Sequence, residues 1–107
     1  MKKNLKKNAA SHPQTLPVHF EYSDSTAQAV CIAGSFNEWK PGSTPMILLG
    51  RGRWVKVVLL PPGVYEYRLV VDGEWMPDKR AEETALNPYG GLNSVVKVGP
   101  QIQLQPA

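Results

Sequence analysis

The chain has 107 residues, 42% of them hydrophobic and 20% charged. That composition suits one globular domain with a single core and leaves too little chain for the common barrel or doubly wound catalytic folds. No apolar run approaches the ~20 residues needed to cross a bilayer. The single cysteine, Cys31, excludes an intrachain disulfide, and a cytoplasmic location is the expectation.

The formal net charge is +3, but Lys2, Lys3, Lys6 and Lys7 supply +4 ahead of residue 17, where no acid occurs, so the remainder carries −1. Residues 1–15 are read as a flexible basic arm that aids solubility. No apolar segment follows the lysines, so a signal peptide is not expected. From there Leu16, Val18, Phe20 and Tyr22 alternate with Pro17, His19 and Glu21, which predicts a half-buried strand. Residues 23–25 form a turn. Residues 27–33 are small and apolar on both faces, predicting a central buried strand with Cys31 as a small core hydrophobe. Residues 34–45 read as a loop and 46–49 as a short strand. Gly50-Arg51-Gly52 then turns the chain into a β-branched strand over 53–60, with Trp54 expected to be buried.

Pro61-Pro62-Gly63 marks another turn before residues 64–71, the longest strand candidate. Asp72-Gly73 predicts a type I′ hairpin, and residues 74–76 begin the returning strand. Residues 77–91 are a turn-rich loop whose middle, 79–86, is expected to hold a helical turn. Residues 94–98 close the sheet, and 100–107 are read as a tail. Short strands separated by turn signals, with no amphipathic helix of normal length, predict an all-β antiparallel sandwich over residues 16–99.

His12, His19 and Cys31 have no metal-ligand spacing, and neither a metal nor a cofactor is expected. No nucleophile motif occurs, and Asp78, Glu82 and Glu83 share one loop with no opposing carboxylate, so the chain is not expected to be an enzyme. The aromatics are more informative. Trp39 lies in a polar loop and Trp75 just beyond the hairpin turn. With Asp72-Gly73 at the centre of the turn, Val70 faces Trp75, and alternation puts Arg68 on the same face as the diagonal neighbour of the indole. An indole beside a guanidinium suits a flat ligand, either a base of single-stranded nucleic acid or the apolar face of a pyranose. Asn87 and Asn93 in the late loop can supply donors and acceptors at the same edge. The near-neutral folded part argues against a polyanion.

Four motifs then occur in order: GSFNEW at 34–39, PGVYEYR at 62–68, VDGEW at 71–75 and NSVV at 93–96. Together they resemble the family 48 carbohydrate-binding modules, which include the glycogen-binding domain of the AMP-activated protein kinase β subunit and are related to the early-set domains of branching and debranching enzymes. The similarity covers residues 17–98. It implies an immunoglobulin-like, early-set β-sandwich that binds α-1,4-linked glucan without catalysis. It further implies that Trp39 and Trp75 stack on glucose units, and that Arg68, where the kinase-type domain has lysine, contacts hydroxyls together with Asn93. Tyr89 and Gly91 stand where the kinase-type domain has leucine and threonine; Tyr89 can still pack on a sugar ring, whereas Gly91 offers no hydroxyl. The implied partners are an α-glucan polysaccharide or maltooligosaccharide and a glycogen-metabolising enzyme or kinase-like protein, with no specific nucleic acid and no membrane. The alternative is a regulatory or scaffolding module that keeps the fold without binding sugar; the presence of both tryptophans and the basic position argues against it.

Overall fold

The computed structural model describes residues 14–100. Residues 1–13 of the expected arm and 101–107 of the expected tail lie outside the described residues. The chain runs through β1 (Leu16–Ser23), β2 (Val30–Gly34), a 3-10 turn (Pro41–Ser43), β3 (Ile47–Gly50), β4 (Arg53–Leu60), β5 (Gly63–Val71), β6 (Glu74–Met76), β7 (Glu83–Leu86) and β8 (Leu92–Val98). All strand pairs are antiparallel and form two sheets, one of three strands in the order β1-β4-β3 and one of five with β2-β5-β8-β7 and β6 beside β5.

The two sheets meet because each turns an apolar face inward. Val18 and Phe20 of β1 and Trp54 and Leu60 of β4 pack against Val30, Ile32, Tyr67, Leu69, Val71 and Val98 of the five-stranded sheet. This is the predicted sandwich. Trp54 is buried as expected, and its indole N–H donates to the Asp24 carbonyl at 3.2 Å.

Strand β5 organises the larger sheet. It pairs with β2 along one edge, from Gly34↔Tyr67 to Val30↔Val71. Along the other edge, β8 takes residues Gly63 to Tyr67 and β6 takes Leu69 to Val71. The hairpin register is the predicted one, with Val71 opposite Glu74 and Val70 opposite Trp75. Asp72 (φ 49°) and Gly73 (φ 85°) both adopt the left-handed backbone that a type I′ turn requires. Asp72 also accepts from the Gln28 and Ala29 amides at 2.9 and 2.8 Å, fastening the hairpin to the segment that enters β2.

Three expectations are corrected. The strand placed at 27–33 starts only at Val30 and lies at the edge of its sheet rather than in the centre. Its outer side is nevertheless covered, because residues 44–46 bond to it (Ile32 N–H to Thr44 O, 3.0 Å; Met46 N–H to Val30 O, 2.8 Å), and that cover is what its apolar composition reflects. Cys31 faces away from the core, opposite Val70, and is only partly buried. Residues 79–86 hold no helical turn; Asp78 closes a tight turn by accepting from the Arg80 amide, and the chain then enters β7. Strand β7 lacks β-branched alternation, so local sequence did not distinguish it from a loop.

Below the core, Tyr67 donates to Asp78 at 2.6 Å, and the Asp78 amide donates to the fully buried Ser94 hydroxyl at 2.8 Å. Burial first, and then the bond to and charge of Asp78, push the Tyr67 hydroxyl far above the ordinary tyrosine range. In the unfolded chain the same group ionises near pH ~10. The folded state therefore holds this proton where the unfolded state releases it, and stability is lost as pH rises above ~10. Urea unfolding between about pH 8 and 11 is expected to show a decline containing up to ~1.4 kcal/mol per pH unit from this group. Tyr67→Phe is expected to flatten that decline, whatever it does to stability at neutral pH.

Candidate functional site

The outer face of the five-stranded sheet carries a groove of about 560 Å³. It is lined by Trp39 from the loop after β2, Glu66 and Arg68 from β5, Trp75 from β6, Asn87, Pro88 and Tyr89 from the loop before β8, and Asn93 from β8. All five residues singled out from the sequence (Trp39, Arg68, Trp75, Tyr89, Asn93) thus meet at one concavity. Sequence reasoning did not single out Glu66. The signal for it was present in the two-residue period of β5, which places residues 66, 68 and 70 on one face.

Each element holds its side chain for a local reason. Trp75 projects from β6 beside the type I′ turn and is 41% exposed. Trp39 sits in the loop after β2, where Glu38 (φ 59°) and Trp39 (φ 60°) are both left-handed. Such residues cost roughly 1–2 kcal/mol each without a compensating contact. Asn37 supplies the contacts. Its Oδ1 accepts from the Gly34 amide at 3.0 Å and its Nδ2 donates to Ile32 O and Thr44 Oγ1 at 2.9 and 2.8 Å. The Trp39 amide itself donates to Gly34 O at 2.9 Å. Gly34 is needed at the start of this knot, because a Cβ there would stand 2.6 Å from the Phe36 ring and 2.8 Å from Glu66 O.

The 87–91 loop contributes Asn87, Pro88 and Tyr89 to the lining. Asn87 Oδ1 accepts from the Tyr89 and Gly91 amides at 2.9 and 3.0 Å. This Asx turn lifts Tyr89 into solvent, where it is 95% exposed. Asn93 is 6% exposed and is engaged on both ends of its amide: Nδ2 donates to Glu66 Oε1 at 2.9 Å, and Oδ1 receives Asn87 Nδ2 at 3.3 Å.

Arg68 extends across β6, its Nη2 lying 3.5 Å from the Trp75 carbonyl, and its buried Nε has no hydrogen-bond partner. Among the described residues it joins no ion pair, and neither Trp39 nor Trp75 stacks on another ring. The groove therefore offers two indoles that stack on no other ring, one guanidinium outside any ion pair and one carboxylate. Its charges balance, which suits a neutral ligand with an apolar face and hydroxyls at its rim. A second concavity of about 570 Å³ opens beside β1 and β8 over Tyr67 and Asp78; no tryptophan lines it, and its acids and bases are mixed. No group of His, Cys, Asp and Glu able to hold a metal occurs among the described residues. No helix there is long and apolar enough to cross a membrane.

Removing the Asn37 side chain leaves the Gly34 amide, the Ile32 carbonyl and the Thr44 hydroxyl short of partners. Asn37→Ala is expected to lower unfolding free energy by about 2 kcal/mol, measured by urea denaturation, and to broaden the Trp39 indole resonance. A loss under ~0.5 kcal/mol, the size of an ordinary surface substitution, contradicts the role given to this knot.

Residues 16–105 match the family described as the glycogen recognition site of AMP-activated protein kinase. The chain is 27% identical over 95 residues to the pig (Sus scrofa) 5′-AMP-activated protein kinase subunit β-1, covering 89% of this chain and 74% of that sequence. It is 31% identical over 86 residues to the mouse (Mus musculus) subunit β-2, covering 79% of this chain and 30% of the relative. For the rat (Rattus norvegicus) β-1 subunit the aligned part is 33% of the relative's length, so the chain spans about a third of such subunits. Among solved structures, a maltogenic amylase from S. marinus superposes with a TM-score of 0.69 at 19% identity, over 83% of this chain and 14% of the amylase, which is a likeness of fold. The chain belongs to the glycogen-recognition family of AMP-activated protein kinase, a family of carbohydrate-binding β-sandwich modules rather than of catalysts.

Proposed function

We propose that this domain binds α-1,4-linked glucan through Trp39 and Trp75 as stacking platforms, with Arg68 and the second amide hydrogen of Asn93, the one not given to Glu66, bonding sugar hydroxyls and Tyr89 packing at the edge. The observation that carries this reading is the convergence on one groove of two indoles that stack on no other ring and a guanidinium that joins no ion pair among the described residues. Each indole offers an apolar plate to the C–H face of a glucose unit. A polyanion is disfavoured, because the lining balances one arginine with one glutamate where phosphate-backbone binding needs clustered cations. The relatives are kinase subunits by name, and a kinase-like or glycogen-metabolising protein partner, acting in the cytoplasm, belongs to the same reading.

An open groove buries little ligand area, so affinity for a short maltooligosaccharide is expected to lie roughly between micromolar and millimolar. Covering an indole face is worth on the order of 1–2 kcal/mol. Trp39→Ala and Trp75→Ala are each expected to weaken maltoheptaose binding by roughly 5- to 30-fold in calorimetric titration, with circular dichroism confirming the fold. Arg68→Ala is expected to cost about as much, since bonds to a charged donor net ~1.5–3 kcal/mol when desolvated and less when exposed. If both tryptophan variants stay folded and bind like the unmodified protein, the platform reading is wrong and a sugar-independent interaction module replaces it.

A further inference from the structure

The groove contains a directed chain of hydrogen bonds. The Tyr89 and Gly91 amides donate to Asn87, Asn87 donates to Asn93, and Asn93 donates to Glu66 Oε1. Every link points the same way, and the chain ends on a carboxylate. Asn93 is more than nine-tenths buried, so its amide cannot turn without leaving a buried polar group unpaired. One oxygen of Glu66 is thereby pinned. The other, Oε2, has no partner among the described residues, while Glu66 lines the groove two residues from Arg68 on the same face of β5.

Arg68 can only donate hydrogen bonds, and a carboxylate can only accept them. A sugar oxygen that accepts from Arg68 keeps its own hydrogen, which then needs an acceptor. Glu66 carries the one carboxyl group in the lining. In an α-1,4-linked chain each interior glucose has O4 and O1 in linkages and presents adjacent free hydroxyls at C2 and C3. We propose that Glu66 is a sugar-binding, specificity-determining residue: its Oε2 accepts from one hydroxyl of this vicinal pair while Arg68 donates to the other. This rests on the glucan reading above and names a contact that reading does not contain. It confines recognition at this position to neutral units whose 2- and 3-hydroxyls are unsubstituted.

The test separates ligand contact from bracing. Glu66→Gln can keep the bond from Asn93, because the glutamine carbonyl oxygen still accepts, but it turns the groove-facing oxygen into a donor. Maltoheptaose is expected to bind this variant about 5- to 10-fold more weakly in calorimetric titration, with the Asn93 side-chain amide resonances unmoved. Binding equal to that of the unmodified protein leaves Glu66 as a brace only and overturns the proposal. A second arm decides the matter if the Asn93 resonances shift. The unmodified protein and Glu66→Gln are each titrated with maltotriose and with forms whose central glucose lacks the 2- or the 3-hydroxyl. Removing the hydroxyl held by Glu66 is expected to cost the unmodified protein about 5-fold and the variant nothing further, while removing the other hydroxyl costs both proteins alike; any other pattern overturns the proposal. Failure of the unmodified protein to bind either maltooligosaccharide removes the glucan reading and this contact together.

Discussion

The two-sided register of β5 is the constraint on which the rest of the structure depends. Tyr65, Tyr67, Leu69 and Val71 point into the sandwich, and Glu66, Arg68 and Val70 point out of it. A one-residue slip would exchange the two sets, exposing the core and burying Arg68 and Glu66. Pairing on both edges prevents this, since β2 holds one side while β8 and β6 share the other. The Asp72 carboxylate adds a lock at the end of the strand, tying the hairpin to the start of β2.

The groove follows from that register. Trp75 lies beside Val70 because β6 is fixed by the tight turn, and Asn93 reaches Glu66 because β8 pairs with the first half of β5. Trp39 and the Asn87-Pro88-Tyr89 segment come from loops. Both loops are braced by an asparagine, Asn37 and Asn87, whose side chain gathers backbone groups. The backbone of both loops is therefore fixed before any ligand arrives, which under the proposed glucan reading lowers the ordering cost of binding to a shallow surface.

Much of this was legible in the sequence, for physical reasons that differ by element. Strand β1 shows strict alternation, β4 a dense β-branched run, and the Asp72-Gly73 turn admits few conformations, so these were readable from local pattern. The ladder then fixed Val70 against Trp75 and Arg68 beside it by geometry alone. Strand β2 was misplaced because its burial comes from a covering segment distant in pattern, residues 44–46, and not from two neighbouring strands. Strand β7 was missed because four residues, Glu-Thr-Ala-Leu, carry no strand periodicity and are held by pairing with β8. The engagement of Asn93 with Glu66 was illegible because it depends on which way a buried amide points, a property of the folded neighbourhood rather than of either residue.

The central claim is that Trp39 and Trp75 together form the glucan-binding surface, and the chain's third tryptophan provides an internal control. Trp54 is buried with its indole N–H bonded to Asp24. Titrating maltoheptaose into 15N-labelled protein and following the three indole N–H resonances tests the claim most directly. The Trp39 and Trp75 signals are expected to shift along one saturation curve while Trp54 stays in place. Unmoved Trp39 and Trp75 signals at saturating sugar, or shifts confined to residues beside β1 and β8, would contradict it.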